Sequence, residues 1–234
     1  MQANALCTRF GDPAAAEIAR FGLTALRASA AIFYWVEGPI RMADVELAGM
    51  PPQFFNRYAQ EMVRFDPLHV EKMEVGRQKV AQLAPSARPR TAEDERYAGF
   101  LAEYGFIDVI DLLFWHEGVA VAGLGLLKRR SDPPISAAEI ETAFALQRFV
   151  EYDLRHHGRI ARQHLRQRLM MGYQLTEREA EVAELAATGL TNAGIAARLA
   201  ITLPTVKTHL LRVLAKTASG NRTQLAALLT QSPI

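Results

Sequence analysis

The 234-residue chain has one cysteine, Cys7. A lone thiol cannot close an intrachain disulfide or furnish the cysteine cluster of a structural zinc site, so both kinds of scaffold are excluded. No stretch offers the roughly 18 uninterrupted apolar residues that a membrane-crossing helix needs, and Met1 to Phe10 lacks a basic region followed by a long apolar one. A cytoplasmic protein with no membrane partner is therefore expected. Neither charge dominates: 27 Lys and Arg stand against 25 Asp and Glu, for a formal net charge of +2. Such a balance can hide a basic region offset by an acidic one, so distribution matters more than the total. Also missing are a G-x-S-x-G elbow, a phosphate-binding glycine loop, a catalytic Cys-His pairing and H-E-x-x-H. No enzyme activity, metal or cofactor is expected.

What is present is apolar residue content of 50% with 22% charged, enough for a buried core and, at this length, for two domains. The composition changes abruptly at 154–170, LRHHGRIARQHLRQRLM. This run holds Arg155, Arg159, Arg162, Arg166 and Arg168 with His156, His157 and His164, and no carboxylate. We read 158–173 as a basic linker between a mixed domain, 1–157, and a helical one, 174–234. A solvated helix end and a phosphate-steering segment are both open for this run.

In the first domain Asp12 and Pro13 open a helix to Ala28. Ala30 to Val36 reads as a buried strand, turned at Glu37-Gly38-Pro39 into a second strand near Ile40 to Leu47. Pro51 to Phe65 is expected to be a helix with Phe54, Phe55, Tyr58, Met62 and Phe65 near one face. The stretch from Val80 to Arg90 is irregular, and Thr91 to Tyr104 is a helix stopped by Gly105. Ile107 to His116 and Val119 to Lys128, joined through Glu117-Gly118, carry the clearest hairpin signal. Ser136 caps a long last helix, to about His157, expected to turn Ile140, Phe144, Phe149 and Val150 inward. Runs of strands and helices without strict alternation indicate an α+β fold, an antiparallel sheet flanked by helices.

The second domain is helical throughout. Thr176 to Glu179 forms a capping box, Gly189 ends that helix, Thr191 caps a short second helix, and Thr202 caps a third. In the third, Val206, Leu210, Val213 and Leu214 make one apolar side. The remaining sides carry Lys207, Thr208 and Leu211 on one stripe and Thr205, Arg212 and Lys216 on the next. No acid occurs between Thr191 and the C-terminus. A cationic helix presented by a compact bundle suits phosphate neutralisation and major-groove entry.

The segment from Leu175 resembles the LuxR/FixJ-type helix-turn-helix family along nearly its whole length. The matching elements are Leu175-Thr176, Arg178-Glu179, Val182, Leu185, Gly189-Leu190-Thr191-Asn192, Ile195-Ala196, Leu199, Thr205-Val206-Lys207, His209, Lys216 and Asn221-Arg222-Thr223. The resemblance implies an all-α four-helix domain whose third helix enters the major groove. It implies DNA contacts from Thr191, Thr205, Lys207, Thr208, Leu211, Arg212 and Lys216, and pairing of two subunits through a fourth helix carrying Arg222, Leu225, Leu228 and Leu229. Three departures stand out: Asn192-Ala193-Gly194 lacks the usual capping glutamate, Leu203-Pro204 replaces a polar pair, and Leu211 occupies a position often polar.

The order of elements ahead of this segment resembles the autoinducer-binding, PAS/GAF-like sensors of LuxR-type regulators, and no acidic cluster of a phosphoacceptor receiver is present. Phe54 to Pro67, FFNRYAQEMVRFDP, echoes the acyl-homoserine-lactone motif, with Phe54 where Trp is usual and the spacing from Tyr58 to Asp66 one residue short. In that family the aromatic and Tyr line the pocket and the Asp accepts from the ligand amide. Ligand-binding candidates are Phe33, Trp35, Phe54, Tyr58, Asp66 and Trp115; a lactone and another small apolar or amphipathic ligand both remain open. So does a plain aromatic core at Phe33, Trp35, Tyr104 and Trp115. The combined expectation is a homodimeric, ligand-responsive quorum-sensing type regulator on a two-fold DNA site, with RNA polymerase a further candidate partner. The alternative is a ligand-independent regulator whose first domain binds protein.

Overall fold

The computed structural model describes residues 12–37, 41–83 and 91–230. Cys7, the turn at Gly38-Pro39 and the stretch 84–90 lie outside them. The chain divides into two compact units, Met1–Arg155 and His156–Ile234.

The first unit opens with α1 (Pro13–Ala25), where the Asp12 carboxylate accepts from the Ala14 N–H at 3.0 Å. It stops three residues short of the expected Ala28. Then come β1 (Ala30–Glu37), β2 (Arg41–Ala48), α2 (Pro52–Arg57), α3 (Val70–Val75), β3 (Val80–Gln82), α4 (Ala92–Glu103), β4 (Phe106–His116), β5 (Val119–Arg129) and α5 (Ala137–Leu154). The strands form one antiparallel sheet in the order β2-β1-β5-β4-β3. Its strongest sequence signal is also its centre: Glu117 and Gly118 take φ of 49° and 81°, the left-handed pair that a two-residue hairpin turn requires. The α+β architecture expected from the element order is the one observed.

Side chains alternate across the sheet, so β1 divides its residues between two cores. Ile32, Tyr34 and Val36 join Phe54, Phe55, Tyr58, Met62, Met73, Tyr97, Phe100 and Leu113 in a cluster under α2, α3 and α4. Phe33 and Trp35 point the other way, where Phe33 meets the ring of Trp35 edge-on at 5.4 Å and stacks against Phe114 at 6.4 Å. On that side α1 and α5 cover the sheet.

Two expectations about helices need correction. Pro51 to Phe65 is not one regular helix: α2 passes into a π turn at Tyr58–Met62 and a 3-10 turn at Val63–Phe65. Along α5 the buried stripe is Ala143, Leu146, Gln147, Val150, Glu151 and Leu154, while Phe144 and Phe149 are exposed at 44% and 62%. Polar anchors fix that rotation. Gln147 donates to the Leu113 carbonyl at 2.9 Å and to Glu151 at 2.6 Å, and Glu151 accepts from the Trp115 N–H at 3.0 Å and from Lys79 at 2.9 Å. Val150 is buried as expected and Ile140 half-buried, but counting apolar residues alone misplaced the two phenylalanines because the inward side of this helix is partly polar.

The second unit is α6 (Gly158–Tyr173), α7 (Glu177–Ala187), α8 (Asn192–Leu199), α9 (Leu203–Lys216) and α10 (Arg222–Thr230). The basic run assigned to a linker is thus helix α6. Leu169 is 1% exposed and, with Leu165 and Tyr173, packs into the core of this unit. Arg166 makes a two-pronged bond to Glu184, at 3.0 and 2.8 Å, instead of facing outward for phosphate. Gln174, in the left-handed conformation at φ 52°, ends α6.

Candidate DNA interface and buried cavity

The turn between α8 and α9 is built from caps. The Thr191 hydroxyl accepts from the Gly194 N–H at 3.1 Å at the start of α8, which forms despite the missing glutamate. Ala200 closes α8 at φ 51°, and the Thr202 hydroxyl accepts from the Thr205 N–H at 3.3 Å to open α9. Pro204 falls in the first turn of α9, where its absent N–H breaks no intrahelical bond. Val206 and Val213 are fully buried, with Leu210 and Leu214 packed alongside. That underside turns Lys207, Thr208, Leu211 and Arg212 to solvent, Leu211 at 69%. Neither Lys207 nor Arg212 has a hydrogen bond or ion pair among the described residues, and exposed Arg198 on α8 is in the same position.

Several of the residues expected to touch DNA or a second subunit are engaged within the unit. Lys216 donates to Glu179 Oε2 at 2.7 Å and to the Gln174 carbonyl at 2.9 Å, so its ammonium ties α9 to the start of α7. Glu179 is 2% exposed and also accepts from the Thr176 N–H at 2.9 Å; these bonds hold its carboxyl below the ordinary carboxylate range. Arg222 donates to the Ala186 carbonyl at 3.0 and 2.7 Å and to the Leu190 carbonyl, bracing the turn between α7 and α8. Leu225 is fully buried and Leu229 9% exposed, leaving Leu228, half-buried, as the one leucine of the expected pairing set not sunk into the core. Thr208 donates to the Pro204 carbonyl at 3.0 Å, and the Thr205 hydroxyl lies 2.7 Å from that of Thr202. Sequence reasoning missed Arg178, whose guanidinium donates at 2.6 Å both to the Leu199 carbonyl at the end of α8 and to Glu181. An arginine two residues past the capping threonine gave no signal for a contact 21 residues away.

In the first unit a small cavity, about 30 Å³, lies on the α2 and α4 side of the sheet. Phe54, Tyr58 and Asp66 line it, as the motif implied; Phe33, Trp35 and Trp115 do not. Strand alternation accounts for the first two, because Ile32 and Tyr34 take the cavity side of β1. Trp115 packs at the margin of the same cluster, near the end of β4. The residues that sequence reasoning missed here are Tyr34, Tyr97 and Asp111.

Asp66 is tightly held: its carboxylate accepts from Tyr58 Oη at 2.7 Å and from the Leu68 N–H at 2.8 Å. Burial raises its pKa, while the Tyr58 and Leu68 bonds oppose the rise. Asp111 is 9% exposed, and no hydrogen bond or ion pair among the described residues reaches its carboxylate. Burial, reinforced by Asp66, pushes it well above the carboxylate range. The phenols of Tyr34, Tyr58 and Tyr97 are likewise raised well above their ordinary value, by burial first and by the carboxylates second. Among the described residues no group of three or more His, Cys, Asp or Glu is placed to hold a metal, and no helix is long and apolar enough to cross a membrane.

Residues 173–229 match the model of the bacterial regulatory proteins of the luxR family. They form a LuxR-family helix-turn-helix domain. This LuxR-family domain includes α7 to α9 and most of α10, so the exposed flank of α9 belongs to a DNA-binding module. A curated relative is the monoamine regulon transcriptional regulator of Klebsiella aerogenes, 28% identical over 199 residues, covering 85% of this chain and 82% of that protein. Among solved structures, Escherichia coli SdiA aligns over 94% of this chain and 91% of its own at 17% identity and a TM-score of 0.45. The N-acylhomoserine lactone dependent LuxR family factor CepR2 from Burkholderia cenocepacia aligns over 60% and 80% at 17% identity and a TM-score of 0.40.

Proposed function

We propose that the chain is a small-molecule-responsive transcriptional regulator that binds a two-fold DNA site as a homodimer. The observation that carries this reading is the outward cationic flank of α9, Lys207 and Arg212 beside Thr208 and Leu211, on a LuxR-family domain with no acid after Thr191. Lys207 and Arg212 neutralise phosphates, Thr208 reaches a base edge, and Leu211 suits a thymine methyl. Lys216, Arg222, Leu225 and Leu229 are left out of the contact set because their own unit occupies them. Support for pairing comes from the first unit, where exposed Phe21 and Phe149 meet edge-on at 6.4 Å across α1 and α5 with exposed Phe144 nearby on α5. Two recognition helices about 34 Å apart fit successive major grooves, so the signal acts by setting that separation. The relative matched over 85% of the chain regulates a monoamine regulon by its name, and the cavity of the first unit supplies the sensing site.

The experiment is selection of a random-sequence duplex pool on the full chain, followed by affinity measurements on the enriched duplex over a range of salt. The expected site has two-fold symmetry. Lys207→Ala and Arg212→Ala should each weaken binding and flatten the log-log salt slope by about 0.9 per lost phosphate contact. A pool that never enriches, or slopes untouched by either change, refutes the reading.

A further inference from the structure

We propose that the cavity between Asp66 and Asp111 is a receptor for the ammonium group of a small primary amine, with aromatic side chains as its walls. The proposal rests on reading the first unit as a small-molecule sensor and names the ligand class. Two carboxylates from separate elements line one small cavity, and among the described residues no lysine or arginine lines it with them. Asp66 already has Tyr58 and the Leu68 N–H as donors. Asp111 has no donor among the described residues, although it is more than nine-tenths buried and lines the cavity. An acceptor left open in this way calls for a cation or a donor from outside the chain.

The sheet is shaped to make room for this arrangement. On β5, Gly125 pairs with Asp111 on one side and Ile32 on the other, and Gly123 pairs with Tyr34. A Cβ on Gly125 would lie 2.7 Å from Asp111 Oδ1, and one on Gly123 would lie 2.2 Å from the Tyr34 ring. Glycine inside a strand is unfavourable, and here two of them let a carboxylate and a phenol lie flat across the central strand toward the cavity. Tyr34, Tyr58 and Tyr97 add electron-rich faces, the surroundings in which an organic ammonium is held by charge and by ring quadrupole together. At about 30 Å³ the cavity takes the charged head, and the body of a larger amine takes its room from the adaptable side chain of Met42 at the wall. A neutral acyl lactone would leave Asp111 unanswered.

The test is calorimetry on the full chain with amines graded in bulk, ethylamine, isopentylamine and phenethylamine, each against the alcohol of the same carbon skeleton, and with N-octanoyl-homoserine lactone as the neutral rival. At least one amine is expected to bind tenfold or more tighter than its alcohol. Asp111→Asn, checked by thermal melting to be folded, should erase that preference and leave the alcohol's affinity within twofold. Equal binding of amine and alcohol, or a preference that survives Asp111→Asn, overturns the proposal. Lactone binding with no amine binding overturns it too, yet leaves the sensor reading standing. If no probe binds while the selected duplex does, both the amine class and ligand sensing fall, and the DNA-binding reading alone remains.

Discussion

In the C-terminal unit Glu179 is almost wholly buried and accepts from both the Thr176 N–H and Lys216, whereas in the N-terminal unit Asp111 is nearly as buried and has no donor among the described residues. The first arrangement is architecture: a carboxylate whose desolvation is offset locally holds two helices in register. The second is an open valence, which a fold retains at a cost in stability only where something else supplies the partner. The same contrast recurs within the first unit. On the α5 side Lys128 and Glu139 pair at 2.8 Å with both side chains buried, and the Glu151 carboxylate accepts from Lys79, Gln147 and the Trp115 N–H. On the cavity side Asp66 is bonded to Tyr58 and to the Leu68 N–H, and Asp111 beside it has no donor among the described residues. Among the carboxylates, then, paired ones mark the parts that hold shape, and the one without a donor among the described residues marks the part proposed to receive.

The contrast can be broken most forcefully at Gly123. Gly123→Ala drives a methyl into the buried Tyr34 ring and is expected to destabilise the first unit by about 1–3 kcal/mol, read by thermal melting. A neutral outcome would mean that Tyr34 does not lie across β5. Next comes Glu179→Ala, which strips a cap acceptor and the partner of Lys216; a loss of about 2 kcal/mol in the C-terminal unit is expected. Because the Glu179 carboxyl titrates below its ordinary value, its contribution is present above the usual carboxylate range and fades as pH falls through the depressed value. The pH dependence of unfolding should lose that acid limb in the variant.

Asp111→Asn tests the opposite sign. A carboxyl raised by burial binds its proton more tightly folded than unfolded, so its favourable contribution is full at acid pH and is lost as pH climbs from about 3.8 through the raised value. Around it stand Asp66, Tyr34, Tyr58 and Tyr97, with His69 and Lys72 acting on Asp66. The variant should therefore be more stable than the parent near neutrality, by on the order of 1 kcal/mol, and its stability should vary less with pH. A wild-type stability that does not fall relative to the variant's across the same interval would contradict the assignment. The smallest effect on folding belongs to Lys207→Ala, expected to leave the melting temperature unchanged while lowering the salt slope of DNA binding. Lys216→Ala should do the reverse, lowering the melting temperature with little change in slope.

Much of this was legible from residue order. Caps and breakers at Asp12, Thr91, Ser136, Thr176, Thr191 and Thr202 all open helices, because a side-chain acceptor for free N–H groups is a local matter. The hairpin at Glu117-Gly118 is local in the same sense. The motif residues Phe54, Tyr58 and Asp66 reach one cavity, but Phe33 and Trp35 do not, since one step along a strand exchanges its two faces. Lys216 and Arg222 carry charge that looked available for phosphate or for a partner. Their acceptors, Glu179 and the Ala186 carbonyl, lie 37 and 36 residues away, beyond any pattern of spacing.

By itself the sequence determined where the capped helices and the hairpin strands begin, that the last quarter is helical, and that one flank of α9 is cationic over an apolar underside, because each depends on neighbours within a turn or two of chain. Tertiary structure decided which cations remain available, which way α5 is rotated, and that Asp111 crosses Gly125 to share a cavity with Asp66. Those outcomes turn on pairings between distant segments, where the energy of a buried charge is fixed by what the rest of the fold brings beside it.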